Sequence, residues 1–491
     1  MPTLSECTCS PTLFFINSSM NFTKFLFLFL AGGLLLQACD SFEETNIDPS
    51  RPTEVPLNLI MPTMLTQAAF NQSANESRIA GIILQYLAGI DAQQAAYQRY
   101  TIPAEVTNNY WRTGLYAGVL KDADVMIAQA QAEDAPYYEA IAEIISAMSY
   151  ADAASKFGDI PYGEALQGGD NLQPAYTPQL EVFAGIQNQL DRAIELLNTD
   201  GGTVQPGGDD IIFGGNPDLW KQTAWALKAR YLMHLVNREP GNAAKVLDIV
   251  QNNAFQSAAE QPNFAYGTSQ TDNSPFAKFG QERPNTLIVE DVSINAGSFA
   301  TRLIERNDPR ASRIFEETLD ADGNGTGFYI YYNANNPNLI YARFNSVIPY
   351  ISFTELQFLE AEALERTGED ATDALKDAIR SSFAQYELDV DEDFIESTIG
   401  DDTDLEEIIT EAYVAYYGIA HQEAWTNYRR TGFPDIQPVD NPDDSFNPSG
   451  IIPERWLYPT SEINLNTDNV QAAIDRQGGN LLDDELAAFA N

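Results

Sequence analysis

Cys39 directly follows the tripeptide Leu-Gln-Ala at the end of an apolar run, and Lys24 precedes that run. An apolar residue three positions before a cysteine, with a small residue just before it, has the form of a bacterial lipobox. Signal peptidase II would cut before this cysteine, and diacylglycerol would be attached to its sulfur. The apolar core, residues 25–36, is too short to span a hydrocarbon layer of about 30 Å as a permanent helix. The pattern predicts a signal peptide over residues 1–38 and a body tethered to a membrane through Cys39.

The same region decides which cysteines remain in the mature protein. A polar segment, the apolar core and the cleavage site follow Met20 in the order of a signal peptide, which favours Met20 as the start. We therefore interpret residues 1–19 as a mis-assigned start. Without Cys7 and Cys9, Cys39 is the only cysteine of the mature chain, which excludes a structural disulfide and a cysteine-based zinc site.

One loop has oxygen side chains at a spacing that suits a metal. Asp320, Asp322 and Asn324 follow a D-x-D-x-N-G pattern, in which Gly325 allows a tight turn. This is the first half of an EF-hand calcium loop, but position twelve is Tyr331 instead of the closing Glu. Asp-Gly and Asn-Gly are also common turn formers. The pattern predicts a surface turn, with a structural calcium ion as the alternative and no other cofactor.

The signatures of common enzyme classes are absent. The chain has no Walker phosphate loop, no G-x-S-x-G elbow and no H-E-x-x-H motif. Its two histidines, His234 and His421, lie far apart in helical patterns and are interpreted as packing residues. Paired carboxylates could hydrolyse glycosides, but in so acidic a chain close pairs occur by chance. The sequence therefore predicts a protein that is not an enzyme.

The net charge is −44, and it stays so after residues 1–38 are removed, because one base and one acid are lost together. Such a charge disfavours nucleic acids, whose phosphates require Lys and Arg, and it disfavours strongly anionic ligands. Aromatic residues make up 11% of the chain, and many are Tyr, which packs against apolar groups while offering a hydroxyl.

Helical periodicity dominates the chain from residue 57 onward. Ile141, Ile144, Ile145 and Met148, for example, fall at i, i+3, i+4 and i+7, on one face of a helix. Such stripes predict helices in pairs, as in degenerate tetratricopeptide-type repeats. The predicted pairs are 105–132 with 136–157, 179–198 with 217–238, and 354–367 with 371–386, and a further helix is predicted over 404–431.

Other stretches lack this periodicity. Residues 39–56 are acidic and contain proline, and they are expected to form a lipidated flexible leader before a single domain over 57–491. Residues 261–350 are rich in Pro, Asn, Gly and aromatics, and within them 328–332 and 339–344 predict a short β-hairpin. A second irregular segment is predicted over 433–460. Long loops on a helical scaffold are where binding groups usually lie.

Several motifs occur in a fixed order along nearly the whole chain. They are Asn46-Ile47-Asp48-Pro49, Phe157-Gly158-Asp159-Ile160-Pro161-Tyr162, Trp220 to Arg230, Asn307-Asp308-Pro309-Arg310, Glu423 to Pro434, and Ile452 to Asn466. With them the chain resembles the SusD/RagB-like family of nutrient-binding outer-membrane lipoproteins of Bacteroidetes-type bacteria, in its second SusD-like branch. We interpret the motifs as structural: Gly158 to Pro161 as a helix stop, and Arg429 and Arg430 as partners of carboxylates.

The resemblance implies a mainly helical fold, in which four tetratricopeptide-like helix pairs cradle a loop-rich ligand-binding half. It also implies a SusC-like TonB-dependent outer-membrane barrel as partner, on which the lipoprotein faces the cell exterior. The protein would capture oligosaccharides and deliver them to the barrel without catalysis. The alternatives are a peptide or another small nutrient as ligand, a glycoside hydrolase of the same locus, and a purely structural module.

The resemblance does not identify the ligand site, so candidates come from the chemistry of sugars, whose C–H faces stack on aromatic rings while Asn, Gln and Asp bind their hydroxyls. Aromatic and amide residues concentrate near the first helices and in the long loop. The candidates are Tyr97, Tyr100, Asn109, Tyr110, Trp111, Asn263, Phe264, Tyr266, Asn273 and Phe276. Packing into the core is the alternative for each of them, and it is favoured for Trp111, which shares a helical stripe with Leu115 and Val119.

Overall fold

The structure is a computed structural model that describes residues 55–400, 403–440 and 445–490. The predicted signal peptide, the lipidation site Cys39 and residues 40–54 of the predicted leader lie outside the described residues. The helices are α1 Leu57–Ser73, α2 Asn75–Ile83, α3 Ala92–Gln98, α4 Leu120–Ala132, α5 Pro136–Phe157, α6 Gln179–Leu197, α7 Pro217–His234, α8 Asn242–Asn252, α9 Pro275–Glu282, α10 Phe299–Glu305, α11 Ala311–Ile314, α12 Phe353–Thr367, α13 Thr372–Gln385, α14 Glu392–Thr398, α15 Leu405–Tyr416, α16 His421–Thr431, α17 Thr460–Leu465 and α18 Thr467–Gln477.

The strands are short and pair antiparallel. They are β1 Ala88–Gly89, β2 Ile160–Pro161, β3 Tyr176–Thr177, β4 Asn263–Ala265, β5 Leu287–Ile288, β6 Glu290–Asp291, β7 Glu316–Leu319, β8 Gly325–Ile330 and β9 Val347–Pro349. Three two-stranded sheets join β1 to β5, β2 to β3 and β4 to β9, and one three-stranded sheet has the order β6-β8-β7. The chain is therefore mainly helical, as predicted, with strands confined to its irregular parts.

Successive long helices pack side by side. In order, α4, α5, α6, α7 and α8 each contact the next, and the series continues from α8 through α12 to α13 and α15. The stripe of Ile141, Ile144, Ile145 and Met148 in α5 is buried, as expected of a helix enclosed by neighbours. This tetratricopeptide-like array confirms the predicted fold class, and the chain between α8 and α12 supplies the loop-rich half.

Two predicted helices differ from the structure. The predicted helix 105–132 consists of a 3₁₀ turn, a π-helical segment Tyr110–Val119 and α4. The predicted helix 404–431 is divided between α15 and α16. Gly418, with φ of +84°, lies at this break, and a Cβ there would lie 2.3 Å from the Tyr341 ring. Apolar periodicity continues across both breaks, which is why the pattern alone did not reveal them.

The predicted β-hairpin of 328–332 with 339–344 is wrong. The observed hairpin pairs β7 with β8, and residues 320–324 form its turn, while 339–344 contain a 3₁₀ turn. Asp320 organises the turn, because its Oδ1 accepts hydrogen bonds from the backbone N–H groups of Asp322 (2.9 Å) and Asn324 (2.8 Å). The D-x-D-x-N-G pattern thus corresponds to a hairpin turn, and calcium binding by Asp320, Asp322 and Asn324 stays a prediction.

Buried ion pairs hold the motif residues to the helical array. Arg430 binds both carboxylate oxygens of Glu362, at 2.7 and 2.8 Å, and so joins α16 to α12. Arg429 does not bind a carboxylate, contrary to the prediction. Its guanidinium donates to the Ser155 and Glu454 carbonyl oxygens and lies over the ring of Trp425, because no acid reaches it within this aromatic packing.

The motif around Gly158 ends α5, as predicted. Gly158 has φ of +82°, and the Asp159 carboxylate then accepts a hydrogen bond from the backbone N–H of Gln179 (2.8 Å). Among the residues that the structure describes, we find no helix with the length and apolar character needed to cross a bilayer.

Candidate functional site

A groove of about 520 Å³ lies where α1, α2, the π-helical segment and α9 meet, and we call it the first groove. This volume is in the range of sites for small ligands. Its lining is Gln67, Phe70, Asn71, Ala74, Asn75, Glu76, Arg78, Val106, Asn109, Tyr110, Thr113, Gly114, Pro275, Lys278, Phe279 and Glu282. Aromatic rings, amides and charges of both signs therefore line one concave surface.

Helix α1 supplies one wall through Gln67, Phe70 and Asn71, which follow the i, i+3, i+4 spacing of one helix face. Gln67 Nε2 donates to Asn71 Oδ1 at 2.8 Å, and Asn71 Nδ2 donates to the Gly114 carbonyl oxygen at 2.9 Å. A Cβ at Gly114 would lie 2.7 Å from Asn71 Oδ1, so glycine allows this close approach. The amides are thus held in place, while the Phe70 ring beside them is 48% exposed.

Helix α9 forms the opposite wall. Lys278, Phe279 and Glu282 line the groove, while the other face of α9 is buried. A Cβ at Gly280 would lie 2.6 Å from Tyr332 Cβ, so the glycine lets α9 lie directly on that segment. The Phe279 ring is half-buried, and the Arg78 guanidinium lies 4.4 Å from its centre. Phe279 is therefore fixed in orientation and still offers part of its ring.

Charges in the first groove balance. Its acids are Glu76 and Glu282, and its bases are Arg78 and Lys278. Burial raises the pKa of the Glu76 carboxyl, and the charges of Lys156 and Arg78 oppose this shift only in part. Burial also lowers the pKa of Arg78. Both desolvation effects indicate a partly water-excluded groove that is electrically close to neutral although the protein is strongly acidic.

Tyr110 marks the inner end of the groove. Its hydroxyl donates to Asp152 Oδ2 at 2.6 Å, and Lys156 Nζ lies 4.3 Å from the centre of its ring. Lys156 also binds Asp152 at 2.7 Å, so the three side chains satisfy one another. This cluster closes the groove on the side of α5 and leaves Asn109, which is exposed, at the rim.

The structure separates the ten predicted ligand residues. Asn109 and Tyr110 line the first groove, whereas Asn263 lines a different groove and Asn273 is half-buried outside both. The remaining six are buried aromatic residues whose rings pack within the protein, so their faces are not free for stacking. They are Tyr97, Tyr100, Trp111, Phe264, Tyr266 and Phe276.

Contacts with other parts of the protein explain this burial. The Tyr100 hydroxyl accepts from the backbone N–H of Val439 at 3.2 Å, and the Phe276 ring lies 4.6 Å from that of Tyr331. Tyr266 shares a 2.5 Å hydrogen bond with Ser73. Each partner is distant in sequence, except that Phe276 and Tyr331 both belong to the long loop region. We therefore regard these aromatics as core residues.

Phe70 is not among the predicted ligand residues, because only aromatic residues from Tyr97 onward were considered as candidates. A sequence signal existed, since Phe70 falls outside the buried stripe of Met61, Met64, Leu65 and Ala68 in α1. A large apolar ring on the polar face of a helix is a candidate for binding. Within residues 55–400, 403–440 and 445–490, no cluster of His, Cys, Asp and Glu suits a metal ion.

Comparison with known proteins adds to this geometry. A profile of the SusD-like family described as "Starch-binding associating with outer membrane" matches residues 48–459. A solved SusD/RagB family protein from Bacteroides thetaiotaomicron has 23% identity and a TM-score of 0.69, with 89% of this chain and 100% of that chain covered. None of the curated proteins matches this chain.

Two further solved structures are similar at low identity. A SusD homolog from Bacteroides fragilis has 22% identity and a TM-score of 0.70 over 89% of this chain and 100% of that chain. A chitin-binding SusD homolog from Flavobacterium johnsoniae has 18% identity and a TM-score of 0.70 over 88% of this chain and 99% of that chain. These likenesses show a shared fold. Because the family profile matches most of the sequence, this chain belongs to the SusD-like family.

Proposed function

We propose that this protein is an outer-membrane lipoprotein on the cell exterior that binds a neutral oligosaccharide in the first groove. It would deliver the sugar to a SusC-like TonB-dependent barrel without altering it. The observation that carries the proposal is the pairing of Phe70 and Phe279 with ordered amides in a groove of balanced charge. Aromatic faces would pack against sugar C–H groups, and the amides of Asn71 and Asn75 would meet hydroxyls.

A carbohydrate ligand agrees with the charge of the groove. Glycans without uronate or sulfate are neutral, so they avoid repulsion from a chain of net charge −44. The chitin-binding relative from Flavobacterium johnsoniae has the same fold and is described as binding a neutral glycan polymer. Peptides are the alternative class of ligand. Comparing the affinities of the protein for oligosaccharides and for peptides decides between the two classes.

The test is calorimetric titration of the mature protein with N-acetylglucosamine hexamer, with maltohexaose and with a panel of peptides. We expect at least one oligosaccharide to bind and Phe70→Ala to weaken that binding. Leu59→Ala is the matched control, because Leu59 lies on the same helix, is 59% exposed and does not line the groove. Binding of peptides but no sugar would overturn the carbohydrate assignment.

Hydrolysis is the second candidate function. The raised pKa of the buried Glu76 carboxyl is the observation that favours testing it. A carboxyl with a raised pKa in the same groove as a second carboxyl, that of Glu282, supplies the residue types of a general acid and base pair. Incubation with polysaccharides and measurement of released reducing ends separates the functions. We expect no release. Release that disappears in Glu76→Gln would replace the binding proposal with a hydrolase.

A further inference from the structure

A larger groove, of about 810 Å³, lies on another part of the molecule, and we call it the second groove. It is formed by the loop after α8, the segment before β9, and helices α12 and α13. No residue lines both the first and the second groove. Its lining includes Asn345, Ser346, Val347, Phe353 and Gln357.

Three hydrogen-bonding side chains of the second groove have no hydrogen-bond partner in the part of the chain that the structure describes. The Ser346 side chain is 5% exposed, and its hydroxyl has no hydrogen-bond partner among the described residues. The side-chain amides of Asn345, which is exposed, and Gln357, which is half-buried, also make no hydrogen bond to any described residue. An unpaired buried hydroxyl is costly, and a polar ligand or water would satisfy it.

The charged residues of the second groove are already paired. Arg343 donates to both carboxylate oxygens of Glu387, at 2.7 and 2.8 Å, and to the Pro337 carbonyl oxygen at 2.7 Å. Arg380 binds Asp377 at 2.7 Å and Glu392 at 2.9 Å. Because each guanidinium faces carboxylates of its own protein, the described residues of this groove offer no free cation to an anionic ligand.

Strand addition by a peptide is also disfavoured. Tyr266 N–H donates to the Ser346 carbonyl, so Ser346 faces β4, and Val347 and Pro349 of β9 direct their backbone groups away from it. Pro349 has no N–H, which leaves the outer edge of β9 with one backbone donor, on Val347. An added strand requires a row of donors and acceptors. Recognition here therefore depends on side chains.

An apolar surface completes the lining. The Phe353 ring is half-buried and contributes part of its surface to the lining. A ring together with amides also occurs in the first groove, and the second groove adds the unpaired hydroxyl of Ser346. We propose that the second groove is a separate site for a neutral oligosaccharide, so that one chain binds two. The class of ligand rests on the proposed function, whereas the location rests on the second groove itself.

The test blocks the second groove and leaves the first groove unchanged. Ala384 lies on α13, is exposed and lines the second groove, so Ala384→Arg fills that groove while keeping a residue of high helix propensity. Ala132→Arg is the matched control, because Ala132 is an exposed alanine of α4 that lines neither groove. Thermal unfolding checks that every variant folds. Titration with N-acetylglucosamine hexamer and maltohexaose then counts the sugars bound.

We expect two equivalents for the unchanged protein and Ala132→Arg, and one for Ala384→Arg, with the affinity of the remaining site unchanged. Asn345→Ala with Gln357→Ala should weaken one of the two sites at least tenfold. The unchanged protein could instead bind one equivalent of sugar, with Phe279→Ala abolishing this binding and Ala384→Arg leaving it intact. That result would overturn the second site but keep the proposed function. If no sugar binds to the unchanged protein, both proposals fail.

Discussion

At the scale of residues, the first groove depends on two rings that the fold leaves partly in water. Phe70 is 48% exposed, and Phe279 is half-buried beneath the Arg78 guanidinium. Exposing a phenyl ring to water is unfavourable by itself, and a ligand that covers both rings recovers that free energy. The amides of Asn71 and Asn75 would form directional hydrogen bonds with the ligand, which ring stacking does not provide.

Phe279→Ala should weaken oligosaccharide binding about tenfold, because losing a contact worth about 1.5 kcal/mol changes an affinity by that factor. Phe279→Tyr keeps the ring and should retain most of the affinity. Titration of both variants with the oligosaccharide that binds the unchanged protein is the measurement. Equal affinity of Phe279→Ala and the unchanged protein would exclude this ring from the site.

His421 is a buried neutral histidine. Its Nε2 accepts from the Gly418 N–H at 2.9 Å, so its Nδ1–H donates to the Ser77 carbonyl at 3.0 Å. Burial lowers the pKa of His421 to about 4. The unfolded chain, with a pKa near 6.5, takes up this proton first, so the stability contributed above pH 6.5 is lost as the pH falls toward 4.

We therefore expect the unchanged protein to lose about 2 kcal/mol more of its free energy of unfolding than His421→Gln between pH 7 and pH 5. Urea unfolding at the two pH values measures the difference. Burial raises the pKa of Glu454 to about 7, which gives the opposite trend, but that trend is common to both proteins and cancels in the comparison. Parallel pH curves for the two proteins would contradict the assignment of this proton to His421.

At the scale of elements, a charged contact fixes α16 against α12. The Arg430 guanidinium and the Glu362 carboxylate are both almost completely buried, and their bidentate contact, together with Arg366, holds the pKa of Glu362 at about 2 against the opposing effect of burial. The stabilisation is present above the ordinary pKa of a glutamate and is lost as the pH falls through about 2. The motif that contains Arg430 is therefore part of the scaffold that carries the grooves.

Arg430→Met should lower the free energy of unfolding by about 3 kcal/mol, because the buried Glu362 carboxylate loses its bidentate partner and keeps only Arg366. Combining it with Glu362→Leu should restore part of the loss. The control is Lys121→Met, which removes an exposed pair with Asp124 and should cost less than about 1 kcal/mol. Denaturant unfolding measures all of them, and a loss for Arg430→Met no larger than that of the control would contradict this role.

At the scale of the whole molecule, the tetratricopeptide-like array is a frame on which the irregular chain between α8 and α12 is laid. Both grooves involve this irregular chain: α9 forms a wall of the first, and the segment before β9 forms part of the second. In each groove the charges are paired or balanced despite the net charge of −44. The acidic surface is therefore kept apart from the places where a neutral ligand would bind.

The predicted anchor is also a property of the whole molecule. Cys39→Ala removes the sulfur that would carry diacylglycerol and changes nothing in the described residues, so the variant should fold normally and leave the membrane fraction. Fractionation after a carbonate wash measures this, with thermal unfolding as the check of folding. A variant that still sediments with membranes would refute the lipid anchor.

The helical class, the family and the positions of α5, α6, α7, α12 and α13 could be predicted from the sequence, because apolar periodicity and short motifs are local properties of the chain. The predicted hairpin was misplaced, because residues 320–324 were predicted as a surface turn but not as the connection between β7 and β8. The residue pattern within one segment does not indicate which other segment will pair with it in a sheet.

Which aromatic rings are exposed depends on the tertiary structure. The first groove joins residues 67–78, 106–114 and 275–282, which the sequence separates widely. Tyr97 and Phe70 are both aromatic residues of early helices, yet Tyr97 is 1% exposed and Phe70 is 48% exposed. The exposure of each ring depends on which segments, distant in sequence, pack against it. The spacing of residues along one helix does not contain this information.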